Sequence, residues 1–296
     1  MNKHRTAWAA SALLALSLAL TSCGSDTGSG SDTGDGSAGA LSHIHGVGAF
    51  QGTLYVATHN GVYTPGADGR PVLVGTRRDD FMGFTVTARG SFLASGHPAP
   101  GGDGPADLGL IESTDRGATW TTRSLAGEVD FHALDTAAGA AADSTVYGYD
   151  ATNGRLRASA DGVTWEDRAE LRALDIAASP AAPGTVLATT ERGVVHSTDG
   201  GRTFGAPASP RLVAYVSWAA PDALFGVDPQ GVLLRSTDAG GTWSRVGTVP
   251  GGAPQALTAV DARRVLAATR DGVYESADGG RTFVRRMAVT TGGDGH

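Results

Sequence analysis

One short phrase returns through the chain and limits what it can fold into. It reads Ser276-Ala-Asp-Gly-Gly-Arg-Thr-Phe283 near the C-terminus, and earlier Ser236-Thr-Asp-Ala-Gly-Gly-Thr-Trp243, Ser197-Thr-Asp-Gly-Gly-Arg-Thr-Phe204 and Ser113-Thr-Asp-Arg-Gly-Ala-Thr-Trp120. A copy shortened by one residue, Ser159-Ala-Asp-Gly-Val-Thr-Trp165, stands between them. The shared pattern Ser-x-Asp-x-Gly-x-Thr-aromatic has the chemistry of a tight hairpin. Its carboxylate accepts bonds from turn amides, its glycine supplies a positive φ, and its aromatic ring anchors the turn. Aspartates employed in this way serve the backbone, so they are read as fold elements rather than reactive groups.

The copies recur with a period of about forty residues, the range of propeller blades. The last unit shows four strands: 255–260 innermost, 264–269 second, 272–276 third, the turn, then 282–287 outermost. Counting backwards, units start near Leu212, Arg172, Val129 and Phe81. A divergent first unit, 43–74, carries Ala67-Asp68-Gly69-Arg70 in place of the phrase. The expectation is therefore an all-β propeller of six four-stranded blades. Composition agrees: glycine is abundant at 44 residues and charged residues make up only 18%, as suits a turn-rich repeat protein. Residues 98–108, rich in Gly, Pro and Asp, read as a loop inserted in the second unit.

The chain begins as a secreted protein would. Lys3 and Arg5 precede an apolar stretch, Ala7 to Leu20, too short for an ordinary membrane span. The stretch ends in Leu20-Thr21-Ser22-Cys23, which resembles the bacterial lipobox; in that family the cysteine is acylated and becomes the new N-terminus. Residues 1–22 are then a signal peptide. Cys23 is a lipidated anchor, and 23–40, almost wholly Gly, Ser, Asp and Thr, form a flexible tether. The propeller occupies 41–288, and 289–296 form a disordered tail. The expected location is the membrane surface, facing outside the cytoplasm.

Charge and residue usage exclude several chemistries. The net charge is −7, and loss of Lys3 and Arg5 with the signal removes two positive charges, leaving −9. Nucleic acid is not an expected partner. Lys3 is the sole lysine and Cys23 the sole cysteine, so the folded part offers no Schiff base, thiol nucleophile or disulfide.

Histidines sort to one face once the blade topology is applied. In a propeller, the starts of inner strands and the turns between second and third strands share one face, opposite the repeated turns. His43 and His45 start the first inner strand, Met82 the second and His132 the third. His59 and His97 follow the second strands of units one and two. Asp150 holds the matching place in unit three, and Glu191, Asp228 and Arg270 in units four to six. Only His196 and His296, among histidines after the tether, fall elsewhere. Imidazole and thioether are ligands for borderline and soft metals. His43, His45, His59, Met82, His97 and His132 are therefore candidate ligands for copper or zinc at the pore mouth; the bland alternative is that they satisfy backbone groups around a solvated pore. Arg77, Arg78, Arg172, Arg192, Arg211 and Arg270 collect on the same face, which leaves an anionic ligand open. Asp79, Asp80, Asp130, Asp150 and Glu191 lie there as well.

Residues 41–288 resemble Asp-box propellers: sialidases, sortilin-type receptors and photosystem-assembly factors. More narrowly, His43-Ile-His45-Gly, Ala57-Thr-His59-x-Gly61, Met82-Gly-Phe84, Gly96-His97-Pro98, Asp130-Phe-His132 and Tyr147-Gly-Tyr149-Asp150 resemble a bacterial lipoprotein group labelled glycosylhydrolase. That resemblance implies glycoside hydrolysis, with Asp130 and Asp150 as the carboxylates if the chain is a glycosidase. Sialidases carry an early Arg-Ile-Pro-type motif; this chain has His43-Ile-His45-Gly46 there. The reading carried forward is a lipid-anchored propeller, monomeric, binding a metal ion or small ligand through the His/Met cluster. The alternatives are a glycoside hydrolase on the same face and a protein-interaction scaffold.

Overall fold

The computed structural model describes residues 41, 43–102, 104–137, 145–182 and 184–289. The expected signal peptide, Cys23, the expected tether and tail positions 290–296 lie outside the described residues. Within them the chain folds into six consecutive antiparallel sheets. Blade one is β1 (Ile44–Phe50), β2 (Thr53–Thr58), β3 (Gly61–Pro65) and β4 (Pro71–Leu73). Blade two is β5 (Asp80–Val86), β6 (Phe92–His97), β7 (Leu110–Ser113) and β8 (Thr121–Ser124). Blade three is β9 (Phe131–Thr136), β10 (Val146–Asp150), β11 (Arg155–Ser159) and β12 (Glu166–Glu170). Blade four contains β13 (Asp175–Ala178), β14 (Val186–Thr190) and β15 (Gly193–Ser197). Blade five is β16 (Tyr215–Trp218), β17 (Leu224–Val227), β18 (Val232–Ser236) and β19 (Ser244–Thr248). Blade six is β20 (Pro254–Ala259), β21 (Val265–Thr269), β22 (Gly272–Ser276) and β23 (Val284–Ala288). The first strands contact one another in a closed ring, β1 meeting both β5 and β20.

In blade four, the segment in fourth-strand position makes a single backbone bond to β15, Gly205 N to His196 O at 2.9 Å. Pro207 and Pro210 follow, and proline has no N–H to continue a ladder.

Sequence explains which strands are inside. Second strands are covered on both faces by neighbouring blades, so they read as unbroken small and aliphatic runs; every residue of Val265–Thr269 is buried. Outer strands face water on one side and carry charge, as in Glu166–Glu170. The repeated turns hold the outer hairpins. Ser276 Oγ accepts the Gly280 amide and donates to Asp278 Oδ1, both at 2.8 Å; Asp278 also accepts the Thr282 amide and hydroxyl. Asp115, Asp199 and Asp238 repeat these bonds, and Asp161 holds the shortened turn through the Val163 and Thr164 amides. The aromatic that ends the phrase packs into the cleft between blades: Trp120 joins the cluster of Tyr55, Ala57 and Val62 from blade one, and Trp165 that of Leu93 and Leu110 from blade two.

Neighbouring blades are also stitched near the axis. Ser95 Oγ accepts the Phe131 amide, Asp135 Oδ2 the Ala178 amide, Asp175 Oδ2 the Val216 amide and Ser217 Oγ the Ala259 amide, all at 2.8–2.9 Å. Thr258 donates to the Val47 carbonyl at 2.6 Å and closes the ring from blade six to blade one. Between blades one and two a glycine makes room for a side chain: a Cβ on Gly48 would lie 2.6 Å from Val86 Cγ2. Among the described residues no strand is shared across the closure. Leu41, Ile44, Val47 and Val56 of blade one instead pack with Leu266, Val273 and Met287 of blade six. Val289, assigned to the tail from sequence, belongs to this domain: its amide bonds to Asp271 O at 2.9 Å and its side chain packs on the same cluster.

Candidate metal centre at the channel mouth

The inner strands surround a central cavity of about 380 Å³, lined by His45 and His132 and, deeper in the wall, by Asp135, Asp175 and Tyr215. Four of these strands are irregular where they begin. Ile44 pairs with Thr58 and Gly46 with Ala57, so His45 is left over; by the same count Met82, His132 and Gln255 are the extra residues in blades two, three and six. A bulge leaves its residue outside the ladder and re-aims the side chain. The three inner-strand ligand candidates His45, Met82 and His132 are thus all bulge residues.

Two side-chain clusters form beside them. In the first, His59 from the β2–β3 turn lies between two neighbours, its ring 4.7 Å from that of His43 and 4.6 Å from that of His45. His59 Nδ1 is 2.5 Å from Asp80 Oδ2, and His45 Nε2 is 3.6 Å from Asp80 Oδ1. Among the described residues, His45, His59 and Asp80 are the one trio whose donor atoms all lie within 4.8 Å of one another. His43 holds a φ of 52° and accepts the His59 amide through its carbonyl, which fixes the approach of the turn to the strand. Met82 occupies the next bulge, and the third donor beside His45 and His59 is the Asp80 carboxylate two residues earlier on the same strand.

His45 Nε2 and Asp80 Oδ1 are both buried without a hydrogen-bond partner. Burial drives the His45 pKa down to about 4, against the pull of Asp80 and with help from His59, His132 and His43. The ring is therefore neutral at pH 7, with an Nε2 lone pair available if Nδ1 carries the proton.

The second cluster gathers His97, Asp130 and His132. His132 Nε2 lies 2.6 Å and His97 Nε2 3.3 Å from the same oxygen, Asp130 Oδ2. Burial works to lower the His97 pKa, yet the Ala106 carbonyl and the carboxylates of Asp130, Asp107 and Asp80 outweigh it and leave it raised.

Other sequence candidates are placed differently. Asp150 is wholly buried and its oxygens bind the Asn153 amide, Asn153 Nδ2 and Arg157 Nε. It braces β10 against β11 and presents nothing to the channel, so the pairing of Asp130 with Asp150 as glycosidase carboxylates is not built. Asp79 is similarly closed by Arg77 and the Ala99 amide. Arg78 reaches Tyr63 Oη at 3.3 Å. His196 sits by the blade-five turn, where a Cβ on Gly240 would meet its Cε1 at 3.2 Å. Sequence reasoning put Asp80 on this face without naming it a ligand. Its signal was position: it stands at the start of an inner strand, where blade one has His43 and blade three has Asp130.

No protein-family model matches the sequence, and no curated protein is detectably similar to it. Solved structures are similar in shape. An ancestral GH74 enzyme superposes with a TM-score of 0.51 at 15% identity, over 80% of this chain and 36% of that one. The chain thus spans little more than a third of that enzyme. Virginiamycin B lyase from Staphylococcus aureus gives 0.51 at 13% identity, over 79% and 83% of the two chains. A chain of a nidogen–laminin complex gives 0.57 at 13%, over 76% and 89%. The likeness is one of fold. A GH74 enzyme, a virginiamycin B lyase and a chain of a nidogen–laminin complex share it, so the fold does not choose among activities.

Proposed function

We propose that this protein is a lipid-anchored, extracytoplasmic propeller that binds a divalent transition-metal ion, zinc or copper, through His45, His59 and Asp80 at the channel mouth. The observation that carries this reading is a pair of buried side-chain atoms without hydrogen-bond partners, His45 Nε2 and Asp80 Oδ1, 3.6 Å apart; with the His45 proton on Nδ1 both are acceptors. A buried polar atom left unsatisfied costs about 1–3 kcal/mol. Two ligands on one tetrahedral zinc at about 2.0–2.1 Å sit roughly 3.4 Å apart, close to the separation seen. Two imidazoles and a carboxylate suit zinc or copper(II), and the His43 ring packs edge-on against that of His59.

Calorimetric titration of the full chain, made without a polyhistidine tag and stripped with chelator, tests the reading. Uptake of zinc or copper that disappears in His45→Ala supports it; a parent protein that takes up neither ion ends it. Membrane attachment is tested separately, since Cys23→Ala should move a folded protein from the membrane pellet to the soluble fraction. Glycoside hydrolysis is less favoured because Asp150 is closed, and turnover of a glycoside panel would restore it.

A further inference from the structure

Two exposed leucines mark the junction of blades four and five. Among the described residues five large hydrophobic side chains are exposed, and the two leucines among them, Leu174 at 53% and Leu212 at 46%, both belong here. Leu174 precedes β13 and Leu212 precedes β16. One threonine draws these two entries together. Thr189 accepts the Leu174 amide through its carbonyl and the Asp175 amide through its hydroxyl, which itself donates to the Ala214 carbonyl, all at 3.0 Å. The β14–β15 turn closes on the same place: a Cβ on Gly193 would lie 2.5 Å from the Ser209 carbonyl oxygen and 3.4 Å from that of Arg211. Arg172 and Arg211, each within two residues of a leucine, and Arg192 in that turn therefore border one spot.

The three arginines are exposed, and among the described residues no hydrogen bond or ion pair engages their guanidinium groups. Elsewhere arginines are occupied: Arg123 pairs with Glu112, Arg202 with Glu166, and Arg264 and Arg286 with Glu275. The acids near the junction are mostly bonded already. Asp175 accepts the Ile176 and Val216 amides, Asp228 the Gln230 and Val232 amides, and Glu170 pairs with Arg155, which leaves Glu191. Leucines bordered by free guanidinium groups suit an anionic bilayer, where apolar side chains enter the headgroup boundary and cations meet phosphate. The path of the chain favours lipid over a protein partner. Leu41 and His43 lead into β1 at this same face, and Cys23 stands 18 residues before Leu41. A flexible Gly/Ser-rich stretch of that length spans roughly 20–25 Å, so an acylated Cys23 would keep this face close to lipid.

We propose that the junction of blades four and five docks the propeller on an anionic lipid surface through Leu174, Leu212, Arg172, Arg192 and Arg211. The docking builds on the lipid anchor proposed above at Cys23. Six blades in a ring set this junction across from the one between blades one and two, so His45, His59 and Asp80 lie away from the contact.

The test places a polarity-sensitive fluorophore on Leu174→Cys in the full-length, membrane-bound protein. Cys23 is the sole native cysteine, and the parent, treated alike, gives its background. The protein is reconstituted in phosphatidylcholine vesicles with or without phosphatidylglycerol, with nitroxide-labelled lipid as quencher. Val163→Cys, on a repeated turn and 52% exposed, is the control. The expected result is blue-shifted, quenched emission from position 174 only where phosphatidylglycerol is present, and none from position 163. Salt at about 1 M, with its ~3 Å screening length, should reverse it. Arg192→Gln combined with Arg211→Gln should lower the docked-to-free ratio by about ten-fold or more. Leu212→Cys takes the label if Leu174→Cys misfolds. Protein that stays with the vesicles while its label at 174 is unquenched overturns the docking and leaves the anchor standing. A blue shift that nitroxide lipid does not quench means that the patch meets protein, and also overturns it. Protein that washes off the vesicles overturns the anchor. The same label is then read on the soluble protein with added phosphatidylglycerol vesicles, where quenching upholds the docking and its absence ends it.

Discussion

Aspartates stand at both ends of the blades, and the two ends treat them oppositely. At the repeated turns, Asp199 accepts two backbone amides and the Ser197 and Thr203 hydroxyls, though it is in contact with water. At the channel mouth, Asp80 and Asp130 are largely buried and each leaves one oxygen without a partner. Where a carboxylate only shapes backbone, the sequence supplies every donor locally, within five residues. At the mouth an imidazole reaches one oxygen of each carboxylate, His59 on Asp80 and His132 on Asp130, and the second oxygen is left without a donor. Unsatisfied acceptors under cover, rather than acidity as such, set the mouth apart from the turns.

The sharpest way to break this comparison is Asp80→Asn. Removing a ligand should weaken zinc binding by more than the ~10–100-fold typical of losing an outer-shell partner, while the melting temperature of the metal-free protein holds or rises. An apo protein that melts much earlier would make Asp80 a structural residue like Asp199. The converse change is Ser236→Ala, which strips the acceptor from the buried Gly240 amide. It should cost about 1–3 kcal/mol, read by denaturant titration, with zinc affinity unchanged. Lost affinity there would mean that the two ends are coupled.

A smaller effect separates the groups by pH. Hydrogen bonds from Thr242 and Ser236 hold Asp238 down to about 2, and Asp115 is likewise lowered to about 2. The unfolded chain takes up protons first, near 3.8, so stability from these turns is present above that pH and is lost as pH falls towards 2. Asp135 and Asp175 on the channel wall behave in reverse: burial raises them to about 6 and about 7. Here the folded state keeps a proton that the unfolded chain has released, so stability declines as pH rises from about 4 through 7. A melting temperature measured across pH 3–8 should peak between these limbs, and Asp135→Asn with Asp175→Asn should flatten the upper one. Smallest of all is His196→Ala, on the turn side, for which calorimetry should find zinc binding unchanged.

The fold was legible because its signal is local and repeated. A Ser-x-Asp-x-Gly-x-Thr phrase specifies a turn wherever it occurs, and its spacing then counts the blades. The face that gathers the histidines followed from topology alone. The bulges did not: nothing in Ile44-His45-Gly46 says that His45 will drop out of the ladder, since this depends on the pairing of β1 with β2. Nor could sequence separate Asp150 from Asp130. Both stand near strand ends, and only the approach of Asn153 and Arg157 closes the first. Asp80 was visible as one of several acids, and its distinction lies in an unpaired oxygen that only packing reveals.

Because every blade is continuous in sequence and none, among the described residues, is completed by a strand from the other terminus, the molecule has an order in time as well as in space. Both clusters at the mouth use residues between 43 and 132, so their side chains leave the ribosome before the last three blades exist. Their surroundings mature unequally. Junction two–three is flanked by blades already made, whereas blade one keeps Ile44, Val47 and Val56 bare on one side until Leu266, Val273 and Met287 arrive to cover them. As the chain folds, the second cluster can therefore rest in finished surroundings while the first still waits for the last blade to dock.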